Sequence, residues 1–203
     1  MRKTGDKGEN VLRNVNLVSE GSFIRVGNNL LKGSKDIYHK EDGNLSFQQD
    51  CDGVCLLHRP DNRNFLILTE IKSGYANMQK KAFFQLITSY VRIKTWLATI
   101  DTYYQNDYEE IGLIISYPET NISDNSGYTD YRNTLTGKWS NLINKYSASL
   151  RRTRFVDMKI SDFGIDKLHI SPQLLNDILR VRHIEVTKNA ETCIVNIDEI
   201  IGC

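Results

Sequence analysis

Two apolar runs separated by a polar turn organise the middle of the chain. Gly53-Val-Cys-Leu-Leu-His58 and Phe65-Leu-Ile-Leu-Thr-Glu-Ile-Lys72 read as strands. Between them, Arg59-Pro-Asp-Asn-Arg-Asn64 reads as a turn, because proline presets φ and Asp and Asn bond to nearby backbone. The pair predicts a β-hairpin. Ser73-Gly74 stops the second strand, and Phe83, Leu86, Ile87, Tyr90, Ile93, Leu97 and Ile100 then recur at the spacing of one buried helical stripe. That spacing predicts a helix from about Met78 to Ile100. The next run, Ile111-Gly-Leu-Ile-Ile-Ser116, is apolar at nearly every position and suits a strand covered on both faces, as in a parallel arrangement. Strand, long helix and buried strand together predict a βαβ crossover.

The flanks are less regular. Val11 to Leu31 is weakly patterned and reads as partly helical, and Leu45-Ser-Phe47 as a short strand. Residues 121–133, rich in Asn, Ser and Asp, read as a loop. Lys138 to Leu150 predicts a second amphipathic helix with Trp139, Leu142, Ile143, Tyr146 and Leu150 on one face. Arg154 to Ile160 reads as a strand. Ser171-Pro172 opens a third helix, running to about Val181. Ile184 to Ile201 reads as a hairpin or strand pair around Lys188-Asn-Ala-Glu191. With no internal repeat and no linker, residues 1–203 are expected to form one α/β domain, its core at about 45–120 and residues 121–203 elaborating it.

Composition narrows the class without deciding the function. Forty per cent of the 203 residues are hydrophobic and 25% charged, as in ordinary globular chains. No apolar run reaches the ~18 to 20 residues that cross a bilayer. The basic, polar start Met1-Arg-Lys-Thr-Gly-Asp-Lys-Gly-Glu-Asn lacks the apolar segment of a signal peptide. Cys51, Cys55, Cys193 and Cys203 do not form the two tight pairs of a zinc or iron–sulfur site and read as reduced thiols, which points to the cytoplasm. Twenty-six basic residues against 25 acidic ones give a formal charge of +1, so only a local basic face could hold a polyanion.

Glu70-Ile71-Lys72 is the chemistry-bearing feature. Strand residues at i and i+2 share a face, so Glu70 and Lys72 project together at the end of a hydrophobic strand, at a sheet edge or cleft. The preceding strand opens at Asp52. A five-residue turn sets His58 opposite Asn64 and Asp52 opposite Glu70, whereas a three-residue turn sets Asp52 opposite Lys72. Either register brings Asp52 within ~5 Å, Cβ to Cβ, of the pair on the same face. Two carboxylates and a lysine can serve a hard divalent cation and an activated water.

In order and spacing, Asp52 … Glu70-Ile71-Lys72, the helix from 78 to 100 and the strand from 111 to 116 resemble the PD-(D/E)xK nuclease superfamily. That superfamily includes restriction endonucleases, Holliday-junction resolvases and RecB/Cas4-like nucleases. The resemblance covers residues 50 to 116. It implies a restriction endonuclease-like core: a mixed central sheet, with an antiparallel hairpin and a parallel strand after a crossover helix, flanked by helices. Pro60-Asp61 also spells the motif, but Asp61 sits in the turn, about 30 Å along an extended strand from Glu70 at ~3.3 Å per residue. Asp52 is preferred, with Asp50 as its rival. Gln85 stands where the RecB/Cas4-like branch carries Q-x-x-x-Y, although Ser89 occupies the tyrosine position and Tyr90 follows it. Glu20 is the candidate for a further metal-proximal glutamate on a first helix, with Glu9 and Glu41 as alternatives.

What the resemblance implies is metal-dependent hydrolysis of phosphodiester bonds, in DNA before RNA. Asp52, Glu70 and the Ile71 carbonyl would ligate Mg²⁺ or Mn²⁺, Lys72 would orient and help activate the attacking water, and Gln85 would position water or phosphate. Lys80, Lys81, Arg92 and Lys94 on the long helix, and Arg151, Arg152 and Arg154 after the second, could contact a nucleic-acid backbone. A homodimer or a partner protein would suit double-strand cleavage. The alternative is a catalytically degenerate binding or assembly subunit with the same fold. Asp162-Phe163-Gly164 lacks every other kinase element and reads as a turn, and the Asn121-Ile-Ser123 sequon has no meaning in a cytoplasmic protein.

Overall fold

Nine consecutive buried residues, Asn64–Lys72, form β4, the strand that carries Glu70 and Lys72. Such a run is stable as a strand only where both faces are covered, since each face then buries alternate side chains. The computed structural model describes residues 12, 14–34, 49–72, 79–100, 107–117, 145, 146, 148–150, 152–163, 171–187 and 190–202. Among these, β2 (Ser22–Arg25), β3 (Gly53–His58), β4, β5 (Tyr108–Ser116), β6 (Phe155–Lys159) and β7 (Ile178–Glu185) make a six-stranded sheet of order β2-β3-β4-β5-β7-β6. The pairs β4–β5 and β5–β7 are parallel, and β2–β3, β3–β4 and β6–β7 are antiparallel. The chain is therefore α/β with a mixed sheet.

The two faces of β4 have different covers. Leu66 and Leu68 pack with Phe83, Leu86, Ile87 and Tyr90 of α2 (Gln79–Leu97). Gly112 of β5 lets α2 lie close, because a Cβ there would sit 3.1 Å from Val181 and 3.2 Å from Leu86. Phe65, Ile67 and Ile71 face the other way, into a second core with Leu12, Val15, Val195 and Ile197. That core is roofed by a two-stranded parallel sheet, β1 (Asn14–Val18) with β8 (Thr192–Asn196), and by α4 (Ile197–Ile201). Sequence reading expected helices on the flanks; a small second sheet covers this face instead.

Three expectations at the flanks are corrected. The stretch from Val11 to Leu31 holds β1 and β2, with only α1 (Asn28–Gly33) helical. The helix opened by Pro172 is α3 (Pro172–Asn176), which stops five residues before Val181 because Ile178–Glu185 supplies the strand beside β5. Thr192–Asn196 does not form a hairpin with β7; it pairs with β1 from the far end of the sequence. The hairpin, crossover helix and parallel strand are as expected. Tyr146 and Leu150 are helical and buried, as expected, while Trp139, Leu142, Ile143, the 45–47 strand and the 121–133 loop lie outside the described residues.

Candidate active site

Glu70 and Lys72 lie at the carboxyl end of β4 on the face covered by α2. They are 1% and 4% exposed, so they sit inside the layered fold on a central strand, not at the sheet edge that sequence reading allowed. Lys72 Nζ donates to Glu70 Oε1 and, at 2.6 Å, to Gln85 Oε1 of α2. A charge pair this deep is tolerable because each charge neutralises the other and the amide adds a further acceptor. Gln85 in turn donates from Nε2 to the Asp50 carbonyl at 2.6 Å.

The turn decides how Asp52 meets this pair. Arg59 N–H donates to Arg63 O at 2.9 Å, Asn62 adopts a φ of 64°, and Asp61 Oδ1 accepts from Arg63 N–H. This five-residue turn sets His58 opposite Asn64 and Gly53 opposite Thr69, where the ladder ends, so Asp52 lies one residue beyond the last rung on the side of Glu70. Asp52 Oδ2 accepts the Ile71 N–H at 2.8 Å, which fastens the carboxylate beside the motif. Asp61 stays in the turn, paired with Arg59, at the far end of the hairpin.

One stripe of α2 holds the segment that delivers Asp52. Gln85, Thr88, Ser89 and Arg92 follow the i, i+3, i+4, i+7 rule and so face one direction. Thr88 donates to Gln49 O at 2.7 Å and Ser89 Oγ accepts from Cys51 N–H at 2.8 Å. Arg92, fully buried, donates to the carbonyls of Leu31 and Gln49 and to Asp50 Oδ1. Arg92 is thus an internal clamp, contrary to its expected part in a nucleic-acid face, and Lys94 is likewise engaged with Glu110 and Asp177. Burial pushes the Cys51 thiol up to about 12, and the nearby carboxylates of Glu70 and Asp52 push in the same direction.

Sequence reading missed three residues, Ser116, His183 and Glu185, at the same end of the sheet, and named Arg154 beside them only as a possible nucleic-acid contact. Lys72 is in register with Ser116, and Ser116 with Glu185; Glu70 is in register with Ile114, and Ile114 with His183. Ser116, His183 and Glu185 therefore share the α2 face with Lys72 and Glu70. Ser116 Oγ lies 2.9 Å from His183 Nε2, and Arg154 NH1 lies 3.4 Å from His183 Nδ1. Arginine can only donate, so Nδ1 accepts and the imidazole proton sits on Nε2. His183 then donates to Ser116, whose hydroxyl donates to Tyr117 O at 3.1 Å. This polarity is opposite to that of a serine nucleophile and its base. Arg154 also grips Glu185 through both nitrogens and holds that carboxyl below its usual range. The available signal was His183-Ile-Glu185, a polar–apolar–polar strand end like Glu70-Ile-Lys72; extending the third helix to Val181 masked it.

The remaining candidates scatter. Glu20 is exposed in the β1–β2 turn, where its N–H donates to Asp198, and not on a helix. Ser22 pairs with His58, so Glu20 lies beyond the opposite end of β3 from Asp52, which is about 20 Å from His58 at ~3.4 Å per residue. It is not brought to the site. Lys81 and Arg152 are exposed; the side chains of Lys80 and Arg151, and Glu9 and Glu41, lie outside the described residues. Asp52, Glu70 and the Ile71 carbonyl are all hard oxygen donors, a set that fits Mg²⁺ or Mn²⁺. Among the described residues no three His, Cys, Asp or Glu side chains cluster, so two carboxylates would leave the other positions to backbone, water and substrate, as Mg²⁺ commonly does. The chain matches no protein-family model, no curated protein and no solved structure.

Proposed function

We propose that the chain is a metal-dependent nuclease with a restriction endonuclease-like core, acting on phosphodiester bonds, most naturally of DNA. The observation that carries the reading is the Asp52 carboxylate on the Ile71 N–H, between Glu70 and Lys72, with Lys72 itself held by Gln85. The hairpin, crossover helix and parallel strand around them agree with the resemblance in order.

Asp52, Glu70 and the Ile71 carbonyl would hold Mg²⁺ or Mn²⁺, which supplies Lewis acidity at the phosphate. Lys72 has three N–H donors, of which two go to Glu70 and Gln85. The third is available to orient a water or to offset charge building on the phosphate. Gln85 acts through Lys72 and through the Asp50 carbonyl, fixing the ammonium against the segment that carries Asp52. A second reading, a non-catalytic nucleic-acid-binding or assembly subunit, is favoured by the depth of Glu70 and Lys72 and their direct pairing.

Calorimetric titration of Mn²⁺, with and without DNA, beside a plasmid-nicking assay tests the choice. Wild type is expected to bind metal and nick, and Glu70→Ala to lose both, with Glu70→Gln as a folding control. Salt-sensitive DNA binding without metal uptake or nicking would favour the second reading. No uptake even with DNA present sinks the nuclease.

A further inference from the structure

Arg154 takes a backbone conformation that arginine rarely adopts. Its φ of 61° lies in the left-handed region, where a Cβ crowds the backbone and glycine is the usual residue. The position closes the helical turn before β6: Arg154 N–H donates to Leu150 O at 2.8 Å, the left-handed helix ending that glycine serves best. The turn itself gains nothing from an arginine, so the reason for one lies in its side chain.

That side chain stands in line with the candidate active site. His183 N–H donates to Arg154 O at 3.0 Å, continuing the β6–β7 ladder by one rung. Arg154, His183, Ile114 and Glu70 thereby align across four strands, with the Cα atoms of Arg154 and Glu70 about 15 Å apart at ~4.8 Å per strand. A nucleic-acid strand carries a phosphate every ~3.4 Å of duplex axis, so a few nucleotides laid across the strand ends would span this row. Arg154 NH1 and NH2 meet the two oxygens of Glu185 at 2.9 and 3.1 Å. This planar fork fits a phosphate as it fits a carboxylate. Side-chain exposures of 52% and 32% make the pair a weak, solvent-screened one that can be exchanged.

We propose that Arg154 is a phosphate contact for the substrate strand, and that Glu185 holds its guanidinium in the binding geometry until a phosphodiester takes the carboxylate's place. The inference rests on the nuclease reading for the identity of the anion and goes beyond it in giving Glu185 a competing role. Displaced by phosphate, Glu185 swings towards solvent, while Arg154 stays anchored through its ladder bond to His183.

The test is equilibrium binding of short fluorescein-labelled DNA and RNA duplexes, in EDTA, across a KCl series. Glu185→Gln should tighten binding severalfold. Arg154→Ala should weaken it about tenfold and lower the salt slope by about one. Arg154→Gly should bind as poorly as Arg154→Ala while melting no lower than wild type, because glycine relieves the left-handed backbone; loss of binding is then not loss of fold. The double variant Arg154→Ala, Glu185→Gln should match Arg154→Ala. Unchanged or weaker binding by Glu185→Gln, unchanged binding by Arg154→Gly, or no binding of wild type to either duplex overturns the inference. Because EDTA removes metal chemistry, the nuclease reading fails separately: the Glu185→Gln gain without metal-dependent nicking keeps the anion contact and sinks the nuclease, and nicking without any effect at Arg154 or Glu185 does the reverse.

Discussion

At the scale of single residues, the decisive fact is that Glu70 and Lys72 are charged and almost wholly buried. A buried ion pair seldom repays its desolvation, and apolar replacement of both partners is often neutral or stabilising, whereas removal of one leaves a buried charge. Lys72→Met is therefore expected to lower unfolding free energy by about 3 kcal/mol, and Glu70→Leu combined with Lys72→Met to recover most of it. Urea denaturation of the three proteins checks this. Recovery of stability without recovery of metal uptake or nicking would indicate that the pair is kept for chemistry. The motif and its partner Asp52 were legible because strand alternation and hairpin pairing are local rules. The left-handed φ of Arg154 and the His183 tautomer were not, since both depend on neighbours supplied from other strands.

At the scale of elements, α2 both covers the main core and clamps the residue 49–51 segment. Its closeness to the sheet depends on Gly112. Gly112→Val would drive γ-methyls into Leu86, Val181 and Leu179 and is expected to cost about 2 kcal/mol by overpacking. It should also move Gln85 relative to Lys72, so DNA nicking should fall by more than the loss of folded protein accounts for; nicking that simply tracks the folded fraction would refute the coupling. The apolar stripe of α2 was readable from sequence because a helix repeats every 3.6 residues. The polar stripe of Gln85, Thr88, Ser89 and Arg92 was not, because its meaning depends on a segment 38 residues away from Ser89, the separation of its bond to Cys51. Pro172 marked a helix start correctly, but nothing local marked its end after one turn. The strand β7 wins there because Ile178–Glu185 completes the sheet beside β5.

At the scale of the whole molecule, one sheet separates two cores, and a thiol sits in each: Cys51 on the α2 side and Cys55 on the side of β1 and β8. Burial lifts both thiols from 9.0 to about 12. The folded chain keeps these protons where the unfolded chain loses them, so stability contributed by the two groups is whole below pH 9 and falls as pH rises towards 12. Each thiol should add about 1 kcal/mol per pH unit to the alkaline fall in that window. Urea melts between pH 9 and 11 should show Cys51→Ala and Cys55→Ala each removing a similar share of the slope. If the two cores unfold separately, each substitution will change only one of two transitions.

The sequence by itself determined the hairpin, the helix after it, the parallel strand that follows and the grouping of Asp52, Glu70 and Lys72, since turn chemistry, periodicity and pairing act over a few residues. Even there it left two registers open, and the hydrogen bond across the Arg59–Arg63 turn selected one. Only the tertiary structure decided that β1 joins β8 from nearly the whole length of the chain away, that Glu20 lies at the wrong end of β3, and that Ser116, His183, Arg154 and Glu185 line up with Lys72 and Glu70. The physical reason is common to all three. Long-range pairing is selected by which buried faces and strand edges remain to be covered once the local elements exist, and no local pattern carries that information.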